Sequence, residues 1–185
     1  EIKENNLTFD FLINNTQNLT DVFNLPVTVL NQAKITGFYN NLSNKLRIEA
    51  FVPAIIAGGT NIRSGYVLVE NPFDEIKSKI EGIMLNKNGS INQIEIASTA
   101  NTNLVDTKIS FVNDRKKAKG DFGITTQFER EKESDPLKVN FAINPSSLML
   151  NGEEWEMGNA KIYLEDKKVT VENFYGRNKD GSQQL

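Results

Sequence analysis

Aspartate and glutamate are the only side chains in this 185-residue sequence that could carry acid–base chemistry near neutral pH, because it has neither histidine nor cysteine. The missing histidine removes the commonest general base and metal ligand, and with it Ser-His-Asp catalysis and most zinc chemistry. The missing cysteine removes thiolate nucleophiles, thiolate metal sites and disulfides. Among the carboxylates, Glu153, Glu154 and Glu156 gather around Trp155. Two carboxyl groups about 5–9 Å apart beside an aromatic ring would suit glycoside hydrolysis. The plainer reading is a solvated turn with its acids at outward positions and Trp155 as a core plug or an end-cap of the sheet. Asp106 and Asp114 do not have calcium-loop spacing. Gly58-Gly59 lacks the downstream Gly-Lys-Ser/Thr of a phosphate loop and reads as a loop or bulge. The residues therefore point to a chain that is not an enzyme and needs no cofactor or metal, with a carboxylate hydrolase as the minority alternative.

Charge and hydropathy narrow the partners. The net charge is −3 with both signs mixed, and no Lys/Arg stripe is interleaved with aromatics, so nucleic acid is not expected as a partner. The densest basic run, Arg115, Lys116 and Lys117 with Lys119 close behind, falls in a hairpin loop. No apolar run approaches the twenty or so residues of a membrane span; the longest, Phe51 to Ala57, is interrupted by Pro53. A secretion signal or membrane anchor would have to lie outside this sequence. About two dozen asparagines cluster at chain reversals, where Asn tolerates left-handed geometry and closes Asx-turns.

The elements that must position these residues are read from periodicity. Alternation of apolar and polar residues dominates, and helical spacing is rare. Leu7 to Phe11, Ile35 to Tyr39, Leu46 to Val52, Ile76 to Leu85, Ile91 to Ala97, Val105 to Phe111, Gly120 to Phe128 and Leu137 to Ile143 all read as strands. Ile62, Ser64, Tyr66 and Leu68 read as one face of a further strand. A single short helix is expected over residues 19–25, with Asn18 or Thr20 as N-cap and Pro26 as the stop. Turns are expected at Asn40 to Asn44, Asn86 to Gly89 and Asn113 to Lys117, and a charged loop over Glu129 to Asp135. Glycines at 37, 65, 82 and 123 fall inside strands, where they often mark bulges or bends. The count comes to roughly eleven or twelve strands joined by short turns in a single β-rich domain. The apolar face of such strands needs cover, from a barrel, a sandwich or a curved sheet folded on itself.

The last segment, Leu148 to Leu185, is the most distinctive. Leu150-Asn151 is followed by Trp155, then by a strand with Ile162, then by Val169-x-Val171-x-Asn173-Phe174, and finally by Asp180-Gly181-x-Gln183-x-Leu185, which reads as a strand just beginning. This cadence resembles the TamB/AsmA-like family in its Bacteroidetes-type form. The match covers this C-terminal segment; the rest is similar in style only, through short alternating strands and phrases such as Ile35-Thr36-Gly37.

The resemblance implies a fragment of a longer, repetitive periplasmic protein anchored in the inner membrane of a Gram-negative bacterium. It also implies a curved, mainly antiparallel sheet folded into a β-taco or trough with an apolar interior. Such a protein would conduct phospholipid toward the outer membrane, assist outer-membrane protein assembly with a barrel partner, or do both. Alternation supplies the candidate residues for contact with acyl chains: Leu46, Ile48, Ile62, Tyr66, Leu68, Ile80, Ile94, Ile96, Ile109, Phe111, Phe122, Ile124, Phe128, Val139 and Phe141. The alternative is a periplasmic or surface β-sandwich with a dry core that binds or adheres through its loops.

Overall fold

A computed structural model of the chain describes residues 5–85, 91–114, 117–130, 132, 137–165 and 168–184. The turn expected at Asn86 to Gly89, the basic residues Arg115 and Lys116, and most of the charged run Glu129 to Asp135 lie outside the described residues. The described chain is all-β with one short helix, and its 15 strands form one antiparallel sheet that is not closed into a barrel. The chain divides into two compact units, Glu1–Ile96 and Ala97–Leu185.

The first unit holds β1 (Asn6–Ile13), α1 (Gln17–Phe23), β2 (Val27–Val29), β3 (Ala33–Asn40), β4 (Lys45–Ala57), β5 (Thr60–Glu70) and β6 (Ile76–Leu85). Strands β3 to β6 form a meander, β1 adds to the outer side of β3, and β2 pairs with the far end of β4. Gly58 and Gly59, at φ of 54° and 78°, form a two-residue loop between the paired Ala57 and Thr60. Such loops need positive φ at both positions, which glycine adopts without strain. The helix begins two residues earlier than its spacing predicted. Asn15 Oδ1 accepts the Gln17 N–H at 2.7 Å and so opens the first turn. The Thr16 hydroxyl accepts the Val29 N–H instead and ties the helix start to β2. Asn24, at φ 49°, ends the helix.

The middle of β5 breaks the regular ladder. Ser64 has a φ of 50°, and the pairing with β6 shifts between Arg63 and Tyr66. Pro53, which has no N–H to give, lies in β4 between Val52, opposite Gly65, and Ala54, opposite Arg63. The bulge therefore sits where the neighbouring strand lacks a donor. Gly65 and Gly82 flank it as expected, whereas Gly37 and Gly123 hold regular pairings opposite Ile48 and Lys108. At those two positions a side chain, Phe9 or Asn144, lies over the glycine and uses the room a Cβ would take.

Strand β7 (Ile91–Asn101) follows β6 in the strand order and runs across the unit boundary. The second unit continues with β8 (Leu104–Asn113), β9 (Lys119–Glu129), β10 (Lys138–Ile143), β11 (Ser146–Leu150), β12 (Glu153–Met157), β13 (Ala160–Glu165), β14 (Lys168–Glu172) and β15 (Gly176–Asn178). Strands β8, β9, β10, β13 and β14 lie side by side; β11 pairs with the start of β9, β12 with β11, and β15 with β12. The sequence count of strands falls short chiefly because β2 and β15 are three residues each, too short for alternation to register.

The start of a strand expected at Ser182 is instead a closed loop. Asn178 accepts the Gln183 N–H and donates to the Ser182 hydroxyl, and among the described residues the only pairing beyond the loop is a single bridge between Arg177 and Gln184.

The buried apolar residues are few. Ala33 and Ala54 are buried in the first unit, and Val139, Leu148, Trp155 and Ala160 in the second. Trp155 stands opposite Leu148, which in turn pairs with Gly120. Leu148 and the Phe111 ring close over Gly120 where a Cβ would sit, so glycine is what allows the two side chains to meet there. Among the described residues no large side chain is completely buried.

Candidate functional site

Of the three carboxylates around Trp155, Glu154 and Glu156 are held in ion pairs. Strand β12 puts Glu154 and Glu156 on the side opposite Trp155, and β15 brings Lys179 within 2.6 Å of Glu154 and Arg177 within 2.9 Å of Glu156. The Lys179 ammonium holds the Glu154 carboxyl below its ordinary value, first by hydrogen bonding and then by charge. A general acid needs its carboxyl shifted the other way. Trp155 is 9% exposed and fills the small core with Leu148, so its ring offers no open stacking surface.

The second unit also carries a shallow depression of ≈ 460 Å³ lined by Asp106, Lys108, Asp121, Gly123 and Asn144. Its two carboxylates are engaged as well. Asp106 accepts from the Thr125 hydroxyl at 2.7 Å, and Asp121 accepts from Ser110 and lies 3.6 Å from Lys108. The Ser110 hydrogen bond, with Lys108 adding its charge, lowers the Asp121 carboxyl further.

The apolar candidates are sorted by strand register. Residues directly opposite each other in an antiparallel pair project from the same face, and successive residues from opposite faces. In the second unit Ile109 pairs with Phe122, Phe111 with Gly120, Thr107 with Ile124, Phe128 with Val139, and Thr126 with Phe141. All the candidates of this unit (Ile109, Phe111, Phe122, Ile124, Phe128, Val139 and Phe141) therefore share one face. The same face runs on through Ile162 and Leu164 of β13 to Val171 and Val169 of β14. Alternation along β13 and β14 marks these four residues too, although they stand outside the candidate set. The opposite face carries Asp106, Lys108, Ser110, Asp121, Asn140 and Lys161. Phe111 and Phe122 stack with ring centroids 6.0 Å apart.

In the first unit the register corrects the sequence reading. Leu46 pairs with Tyr39, Ile48 with Val69, and Ile80 with Val67, so Leu46, Ile48 and Ile80 lie on one face with Val67 and Val69. Ile62 pairs with Met84, and its Cγ2 reaches to 3.0 Å from where a Gly82 Cβ would stand, which puts it on the same side of β6 as Ile80. Tyr66 and Leu68 do not join it. They pair with Phe51 and Glu49 on one side and with Glu81 and Lys79 on the other, so they belong to the charged face.

On that face the Tyr66 hydroxyl donates to Glu49 at 2.7 Å, and Arg47 bonds Glu70 at 2.6 Å. The tyrosine's hydrogen bond lowers the Glu49 carboxyl, and the same contact raises the Tyr66 phenol. The extra residue at the Ser64 bulge changes the phase of β5 against β6, so against that strand Ile62 and Tyr66 fall on opposite faces. Val67 and Val69 were missed for the same reason. Lys79 lies 2.8 Å from Glu81 and 3.8 Å from Glu95. With Glu95 on the charged face, alternation along β7 turns Ile94 and Ile96 to the apolar one. β1 extends the apolar face outward: Phe9 pairs with Gly37 and Phe11 with Ile35.

These faces are only partly withdrawn from water. Phe122, Ile124, Phe141, Ile48 and Ile94 are half-buried, and Ile80, Phe11, Val169 and Val171 are exposed at 44–60%. Comparison of the chain with known protein families, curated proteins and solved structures finds no match.

Proposed function

We propose that this chain is a lipid-contacting segment of a TamB/AsmA-like bridge protein, whose apolar sheet faces carry phospholipid acyl chains between the inner and outer membranes. In this reading the segment works in the periplasm as part of an inner-membrane-anchored protein, and an outer-membrane barrel assembly factor is its partner at the far end. The observation that carries the proposal is the one-sided apolar face of the second unit, continuous over β8, β9, β10, β13 and β14 and incompletely buried. The cadence from Leu150 to Leu185 supports it independently.

The energetics fit such a role. Moving an acyl chain through water costs about 0.8 kcal/mol per CH₂, on the order of 12 kcal/mol for sixteen carbons. A face of Ile, Val, Leu and Phe removes most of that cost. It is chemically inert, as suits a surface lipids slide along, and each strand repeats it about every 4.8 Å. The charged faces, with their ion pairs, would stay in water.

Native mass spectrometry with lipid extraction, on protein purified from a Gram-negative host, tests the proposal. Wild-type protein should carry phospholipid. Phe122→Glu and Ile96→Glu should lose it while keeping the β-sheet circular dichroism spectrum. A lipid-free wild type that takes up no phospholipid on mixing would sink the proposal and leave the loop-binding β module as the reading.

A further inference from the structure

We propose that the free edge of β14 is a self-complementary docking strand through which two copies of this chain pair about a twofold axis. β14 ends the strand order, so among the described residues only one of its edges is paired, with β13. An unpaired edge presents a row of N–H and C=O groups whose natural partner is another strand. The sequence of β14, Lys168-Val169-Thr170-Val171-Glu172, is palindromic in polarity and antisymmetric in charge, so it complements itself when reversed.

An antiparallel copy centred on Thr170 sets Lys168 opposite Glu172 of the second chain, twice by symmetry. The same register sets Val169 opposite Val171, again twice, on the apolar face. The β13–β14 pair within the chain already matches Lys161 with Glu172 across strands, so opposite charge on this face is the local rule. Neither Lys168 nor Glu172 has an ion pair among the described residues. Val169 and Val171 are 60% and 54% exposed. The symmetric pairing is isologous and closed, so it makes a dimer and not a fibre. It joins the apolar faces of two second units edge to edge, and it does not depend on what those faces carry.

Sedimentation velocity over about 10–500 µM should give a concentration-dependent monomer–dimer equilibrium, as befits a contact of one short strand. Lys168→Glu and Glu172→Lys should each raise the dissociation constant about tenfold or more, since each replaces two attractive pairs with two repulsive ones. The double charge swap, Lys168→Glu with Glu172→Lys, should restore association, which no effect on folding alone would do. Thr170→Cys supplies a reporter in a chain without cysteine. Its two copies would stand about 4.5–5.5 Å apart at Cα, within disulfide reach, and should crosslink under mild oxidation. Thr8→Cys, on the β1 edge, should not. A monomer throughout the range with no crosslink at 170 overturns the proposal. So does a dimer indifferent to the charge reversals, or one that crosslinks at position 8 as readily as at 170.

Discussion

Trp155 is the residue on which the second unit's small core turns. Truncating it removes the ring that stands opposite Leu148, which itself closes over Gly120 beside Phe111. Trp155→Ala should lower stability by about 3–5 kcal/mol, read as a shift in the urea midpoint by circular dichroism. The ion pair beside it has a pH signature. Glu154 is held below the ordinary value of 4.5, so its contribution is present above that value and fades as pH falls through the lowered one. Lys179 is raised above 10.5, so its contribution holds below that value and is lost as pH rises through the raised one. Glu154→Gln should therefore flatten the acid limb of the stability profile below pH 4.5 and leave the neutral region little changed, because the pair is exposed. Chemical denaturation of wild type and variant at a series of pH values checks it.

Strands and their irregularities decide which face a residue serves. Ser64 holds a left-handed backbone that a β-branched side chain tolerates poorly. Ser64→Val should cost about 1–3 kcal/mol, and Ser64→Gly should be neutral to slightly stabilising; thermal melts of the two distinguish them. Gly37→Val should push the Phe9 ring off its place and loosen β1 from β3. Faster amide hydrogen exchange over Asn6–Ile13, with the β8–β9 pair unchanged, is the expected result.

The bulge also explains what the sequence could and could not disclose. Alternation places every candidate of the second unit on one face, because β8, β9 and β10 run without a phase change. In β5 the apolar residues Tyr66, Val67, Leu68 and Val69 occupy both parities, and counting on from Ile62 crosses the bulge unawares. Alternation from Ile62 thus puts Tyr66 and Leu68 on the wrong side and passes over Val67 and Val69. The pairing of Glu154 with Lys179 was equally illegible, since it depends on β15, whose three residues carry no periodic signal.

For the molecule as a whole, incomplete burial has a calorimetric consequence. A globular domain of this length gains about 12–15 cal/mol/K per residue on unfolding, or roughly 2.2–2.8 kcal/mol/K in all. A sheet whose large apolar side chains stay half in water exposes less new surface, and scanning calorimetry on dilute protein should give a clearly smaller value. A full-sized one would mean that the apolar faces are covered in solution.

The order of strands has another consequence, for how the chain is made. From β4 to β10 each strand lies beside the one synthesised just before it. Every strand on this path can be zipped onto a waiting edge as soon as about ten more residues have emerged. At about 5–20 residues per second, that leaves each bare edge uncovered for roughly a second. Apart from the standing outer edge of β1, a growing chain built this way shows neighbouring chains only its newest strand, so crowding on a polysome puts at risk one new rung at a time.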